Sequence, residues 1–160
     1  MLLLAGCAAD TECRQNTAVY MKVEILGDSL RLTTDTARLA RDPNALDTVR
    51  FTNFTGMEIR GLGRDSVICD TNYLYGSAKL PLRPDSTHTD FVISYGGKTD
   101  TLTVLHDNDM QFISLACGCF VFHTIESTRH TRHFIDSVDI YNSAVTTATD
   151  THLKVYFHTW

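Results

Sequence analysis

The chain has 160 residues, 43% of them hydrophobic and 21% charged, which suits one modest core in a single domain. A net charge of −5 excludes a surface built to neutralise phosphates, so no nucleic-acid partner is expected. Only three Pro and nine Gly occur, which excludes wholesale disorder and fibrous repeats. No apolar run approaches the ~20 residues of a spanning helix.

The amino terminus reads Met1-Leu2-Leu3-Leu4-Ala5-Gly6-Cys7, an apolar run ending in small residues directly before a cysteine. That pattern predicts a processing signal. Leu4-Ala5-Gly6-Cys7 resembles the lipobox of bacterial lipoproteins, and the resemblance implies cleavage before Cys7 and a lipid on its thiol. Six residues precede Cys7 and none is basic, so residues 1–6 are expected to be the remainder of a longer signal peptide. Residues 7–17 then form a lipidated tether and 18–160 a single domain. An apolar first strand with a chance cysteine is the competing reading; it fits poorly with polar Asp10, Thr11 and Glu12 following at once.

A lipid-anchored protein lies outside the cytoplasm, where disulfides persist. With Cys7 acylated, Cys13, Cys69, Cys117 and Cys119 allow three pairings. Cys117 and Cys119 stand two apart in a β-like stretch, so they aim poorly at each other and should pair elsewhere. Cys13 with Cys117 is favoured, stapling the tether to the domain. Cys69 and Cys119 are left either bonded to each other or as free buried thiols. Redox chemistry at Cys-Gly-Cys is disfavoured, because catalytic dithiols are usually Cys-x-x-Cys at a helix start.

Along the chain, apolar residues alternate with polar ones at period two. Val19, Met21, Val23 and Ile25 open the pattern, and Gly27 and Asp28 are expected to end that strand. Between Thr36 and Leu46 a helical turn is predicted, cut short by Asp42-Pro43. Val49 and Phe51, then Met57 and Ile59, then Phe91, Ile93 and Tyr95, then Leu102 and Val104 mark further strands. Gly96-Gly97 should join the last two as a tight hairpin, since primed turns demand positive φ. The stretch from Phe112 to Ile125 is apolar on both faces and is expected to be one central strand; Val138 and Ile140, then Leu153, Val155 and Phe157 complete the set. The expected fold is all-β, an antiparallel two-sheet β-sandwich of immunoglobulin-like kind, with a closed or half-open β-barrel as the alternative.

Several short segments together carry a wider resemblance. They are Cys13-Arg14, Gly61-Leu62-Gly63-Arg64-Asp65-Ser66, Leu80-Pro81-Leu82, Ser114 through Gly118, and Ile135-Asp136-Ser137-Val138-Asp139-Ile140. On these the chain resembles a family of Bacteroidetes envelope lipoproteins catalogued only as a domain of unknown function. The resemblance implies a β-rich lipoprotein whose cysteine pair is matched by Cys13 and Cys117; Cys69 and Cys119 depart from the pattern. It implies no activity, ligand or catalytic residue.

Among seven histidines, His123, His130 and His133 are the tightest group. A zinc site needs three or four converging ligands. His130 and His133 offer a close pair, and His123 would reach them if residues 124–129 formed a hairpin end. Arg129 and Arg132 between them would repel a cation. His106-Asp107-Asn108-Asp109 offers oxygen ligands but reads as a turn, lacking the Gly and distal Glu of a calcium loop. Gly61-Leu62-Gly63 is followed by no helix to aim at a phosphate and reads as a bend in the sheet. No Gly-x-Ser-x-Gly elbow is present, and Asn53-Phe54-Thr55 carries no weight as a glycan acceptor in the bacterial setting inferred.

The expectation is a non-enzymatic binding or structural module, lipid-anchored through Cys7 to the outer membrane and facing the periplasm or the exterior. Its partners are the membrane and an unidentified envelope protein or glycan, with no cofactor. A metal-assisted hydrolase using the three histidines is the alternative, and a carrier of a small apolar ligand inside a barrel is a third reading.

Overall fold

The computed structural model describes residues 19–51, 54–69 and 76–158. In chain order the elements are β1 (Met21–Leu32), α1 (Thr36–Leu39), β2 (Leu46–Phe51), β3 (Glu58–Gly61), β4 (Val67–Cys69), β5 (Ser77–Leu80), β6 (His88–Tyr95), β7 (Lys98–Ser114), β8 (Gly118–His130), β9 (Ile135–Ile140), β10 (Ala144–Val145) and β11 (Leu153–His158). Residues 1–18 lie outside the described set, so the expectations for Cys7, Cys13 and the tether fall outside it too, as does Asn53.

Two sheets form a sandwich. The first runs β2-β1-β11-β9, with β5 also pairing β1; the second runs β10-β8-β7-β6-β3-β4. Neither closes into a barrel among the described residues. The pairing is antiparallel except where β1 meets β11 in parallel, from Val23 opposite Leu153 to Asp28 opposite His158. Period-two patterning explains which faces meet. Met21, Val23 and Ile25 of β1 and Leu153, Val155 and Phe157 of β11 turn inward against Ile59, Phe91, Ile93, Leu102, Val104 and Ile125 of the second sheet. Each fully buried aliphatic or aromatic side chain contributes ~1.5–3 kcal/mol relative to exposure. Phe54 stands edge-on to both Tyr95 and Phe157, with ring centroids 5.6 Å apart in each case.

The helical turn is brief because Asp35 caps its start, accepting from the Ala37 and Arg38 amides, while Asp42-Pro43 follows its end. Gly96 and Gly97 both take positive φ, 58° and 77°, and join β6 to β7 as expected.

Three expectations are corrected. β1 does not stop at Gly27-Asp28; it runs to Leu32 because it exchanges neighbours there, leaving β5 after Glu24 and pairing β2 from Gly27 onward. The stretch from Phe112 to Ile125 is two strands, turning at Leu115–Cys117 with Gly118 at φ 74°. His106–Asp109 is not a turn; it lies inside β7 and pairs with residues 122–125 of β8.

Candidate functional site

The inner face of β7 presents Asp100, Leu102, Val104 and His106 in strict alternation, all buried, with half-buried Asn108 next in the same parity. The two middle residues are core and the outer ones are polar. Each end of that row captures a loop.

At one end, Asn108 Oδ1 lies 2.8 Å from His106 Nδ1 and 2.6 Å from His123 Nδ1. A carbonyl oxygen only accepts, so both rings donate from Nδ1. Asn108 Nδ2 donates to the carbonyls of Ser86 at 2.7 Å, Pro84 at 3.2 Å and Arg83 at 3.4 Å, and this fixes the amide's orientation. His106 Nε2 is then free to accept from Thr89 Oγ1 at 2.9 Å, while Thr89 Oγ1 accepts from the Arg83 amide. The Thr89 hydroxyl meets its acceptor only if the His106 imidazole is neutral. The environment of both rings favours the neutral form: burial lowers His106, and burial followed by the charge of neighbouring His106 pushes His123 down to about 4. The rings stand edge-on at 5.2 Å.

The loop held by Asn108 separates two surface depressions. One, of about 440 Å³, is lined by Arg64, Arg83, Asp85, His88, Asp90 and Phe91 among others. The second, of about 320 Å³, is lined by Val19, Leu82, Pro84, Cys117, Cys119 and His123 among others. The first combines both signs of charge with Leu62, Ile68, Pro81 and Phe91, a lining suited to a polar ligand with an apolar face.

At the other end of the row, Asp100 has a fully buried side chain. Its carboxylate accepts from the amides of His133 (2.9 Å), Phe134 (2.8 Å) and Ile135 (2.9 Å), from the Thr131 hydroxyl, and from His133 Nδ1 at 2.8 Å. Burial raises its pKa, but the Thr131 hydroxyl and the three amides outweigh burial and hold it well below the usual carboxylate range. This carboxylate fixes the connection from β8 to β9. It is saturated with donors.

The three histidines proposed as a metal set do not converge. β8 continues through residues 124–129 with a single bulge at Glu126, so His123 and His130 lie seven residues apart on one extended strand, up to ~24 Å at 3.4 Å per residue. His123 faces Asn108, His130 lies near the Asp136 carbonyl, and His133 sits over Asp100. No group of three or more His, Cys, Asp or Glu able to hold a metal ion occurs among the described residues. The histidine-based hydrolase therefore loses its ligand set.

Cys69 and Cys119 are free thiols, half-buried and exposed respectively. They occupy β4 and β8, which have β3, β6 and β7 between them, some ~19 Å at 4.8 Å per strand, beyond the reach of a disulfide. Of the two alternatives for this pair, the free form is found, and Cys119 is at the surface rather than buried. Cys117 is disulfide-bonded; Cys13 lies outside the described residues.

Thr89 and Asp100 were not singled out from sequence, and Asn108 was weighed only as part of a calcium loop and read as a turn. A signal was present. Asp100 and His106 fall on the inward parity of Leu102 and Val104, and a polar residue on a buried face demands a partner.

An all-β sandwich with two loop-capturing polar clusters and two flanking depressions defines the class: a compact β module whose buried polar groups are committed to structure. The chain belongs to DUF6452, a family of unknown function, whose model matches residues 56–157, more than half the sequence. That match spans β3 to β11. No curated protein and no solved structure matches the chain.

Proposed function

We propose that this protein is a lipid-anchored cell-envelope protein of the Bacteroidetes lipoprotein kind, acting as a non-enzymatic binding or structural module at the outer membrane. The observation that carries the reading is Leu4-Ala5-Gly6 immediately before Cys7, in a chain whose Cys117 is disulfide-bonded. A disulfide favours an oxidising compartment, and an acylated Cys7 supplies the anchor at ~0.8 kcal/mol per buried CH₂. Cys13 is the partner we assign to Cys117. The depression lined by Arg64, Arg83, His88 and Phe91 is the place for an envelope protein segment or a glycan. The non-enzymatic part of the reading draws support from the buried clusters, where Asp100 and Asn108 are occupied by loop backbone. The test is mass spectrometry of the native product from membrane and soluble fractions. A diacylated Cys7 at the new amino terminus, lost in Cys7→Ala, is the expected result; an unprocessed Met1 in the soluble fraction overturns it.

A further inference from the structure

We propose that the tip of the β7–β8 hairpin is a membrane-contact element that dips apolar side chains into the bilayer surface beside the lipid anchor. The placement rests on the anchor reading above; the chemistry of the tip stands by itself. From Met110 to Phe122 the sequence holds no Asp, Glu, Lys or Arg, in a chain that is 21% charged. That run is largely outside the core. Met110 is 71%, Phe112 63% and Leu115 97% exposed. The hairpin pairs out to Ser114 opposite Gly118, whereas β6 leaves β7 at Leu105 and β10 meets β8 only at His123 and Thr124. Among the described strands the tip is a two-stranded ribbon with no third strand beside it; Phe120 is buried, while Met110, Phe112 and Leu115 are left exposed.

The occupant is assigned from where the chain enters the domain. Val19 lines the same depression as Cys117, Cys119 and His123, so the amino-terminal segment arrives at the hairpin. Cys7 is twelve residues before Val19, at most ~42 Å of extended chain at ~3.5 Å per residue. Through a Cys13–Cys117 bond the span shrinks to six residues, ~21 Å. An acyl chain on Cys7 thus holds the hairpin end of the sandwich toward the membrane. Hydrocarbon cannot satisfy the free edges of a two-stranded ribbon, so only the turn enters, with the side chains of Leu115 and Phe112, while Met110, ~14 Å back along β7 from Ser114, meets the interface above it. Asp107 and Asp109 follow directly on β7 and are exposed; they stay in the headgroup layer and favour zwitterionic over anionic lipid.

The experiment uses Leu115→Trp with Trp160→Phe in the acylated protein, reconstituted in phosphatidylethanolamine and phosphatidylcholine vesicles carrying brominated acyl chains, with Lys98→Trp at the opposite end of β7 as reference. Expected are blue-shifted, bromine-quenched emission at position 115 and water-like emission at position 98. Water-like emission at 115 in protein whose Cys7 acylation is verified by mass overturns the proposal and leaves the anchor standing. If Cys7 carries no lipid, the anchor reading fails separately, and the hairpin is judged by cosedimentation of the unmodified chain with the same vesicles. At least a tenfold loss of the bound fraction in Phe112→Ser/Leu115→Ser supports it; no difference overturns it. Dimerisation of the unmodified chain abolished by that double variant, without vesicle binding, assigns the tip to a second copy and also overturns it.

Discussion

Asp100 and Asn108 stand eight residues apart on one strand and hold the backbones of two different loops, 133–135 and 83–86. Between them lie Leu102 and Val104, both fully buried. β7 therefore carries the middle of the core and closes both of its ends. Three predictions follow from that row and a fourth from the thiols.

Replacing Asn108 with Ala leaves two imidazole N–H groups without their shared acceptor and three loop carbonyls without their shared donor. Unsatisfied buried polar groups cost about 1–3 kcal/mol each, partly relieved by water at a half-buried site. A loss of about 2–4 kcal/mol in urea unfolding is expected, with increased amide exchange in residues 83–87.

Asp100→Asn turns a carboxylate that only accepts into an amide whose NH₂ must face one or more donors. Loss of about 2–4 kcal/mol is expected, on the scale of broken buried networks. Amide exchange at His133, Phe134 and Ile135, measured by NMR, locates the damage; unchanged protection there contradicts the assignment.

Stability should fall as pH drops from about 6.5 toward 4. The folded pKa of His123 is about 4, below the ~6.5 of an unfolded histidine. The unfolded chain thus binds the proton first; the stabilisation is complete above the unfolded value and lost as pH falls through the window. His123 alone accounts for about 3 kcal/mol. His106 and His152, both lowered chiefly by burial, act in the same direction. His152 Nδ1 accepts from the Lys22 amide, while Nε2 has no well-formed hydrogen bond and only the Ala144 backbone as a weak neighbour. The depressed Asp100 carboxyl adds a separate limb below the usual carboxylate range, lost only in stronger acid. His123→Asn, whose side-chain NH₂ can take the place of Nδ1–H toward Asn108 but does not titrate, should flatten denaturation midpoints between pH 6.5 and 4.

Thiol labelling separates Cys69 and Cys119, the two free cysteines among the described residues. Cys119 is exposed, whereas Cys69 is half-buried and its thiol is pushed up by burial against a hydrogen bond with the Lys79 backbone. Maleimide should modify Cys119 about tenfold faster than Cys69. Peptide mapping without reductant reads this directly, and labelling of Cys117 under those conditions contradicts its bonded state.

Much of the architecture was legible because half-buried strands write their faces into the sequence. Met21-Val23-Ile25, Phe91-Ile93 and Leu153-Val155-Phe157 all turn inward as their alternation requires. Gly96-Gly97 marks its hairpin because few other residues tolerate that backbone. The polar clusters were misread for a physical reason. His106-Asp107-Asn108-Asp109 has turn composition when only local bonds are considered, yet Asn108 finds its partners in a loop 22 to 25 residues earlier in the chain. The turn at Leu115-Ala116-Cys117 escaped for the opposite reason: only Ser114, whose hydroxyl accepts from the Cys117 amide, and Gly118 mark it within an otherwise apolar run. Where the three histidines sit depended on β8 continuing as one strand past residue 125, which sequence proximity did not reveal.

The parallel pairing of β1 with β11 has a mechanical consequence. In parallel neighbours the leading end of one strand and the trailing end of the other point in opposite directions, so tension applied before Met21 and after His158 slides the strands lengthwise. Six register pairs, Val23–Leu153 through Asp28–His158, then bear the load together instead of unzipping one by one. A domain pulled through its two ends meets that force in shear, at the centre of its first sheet.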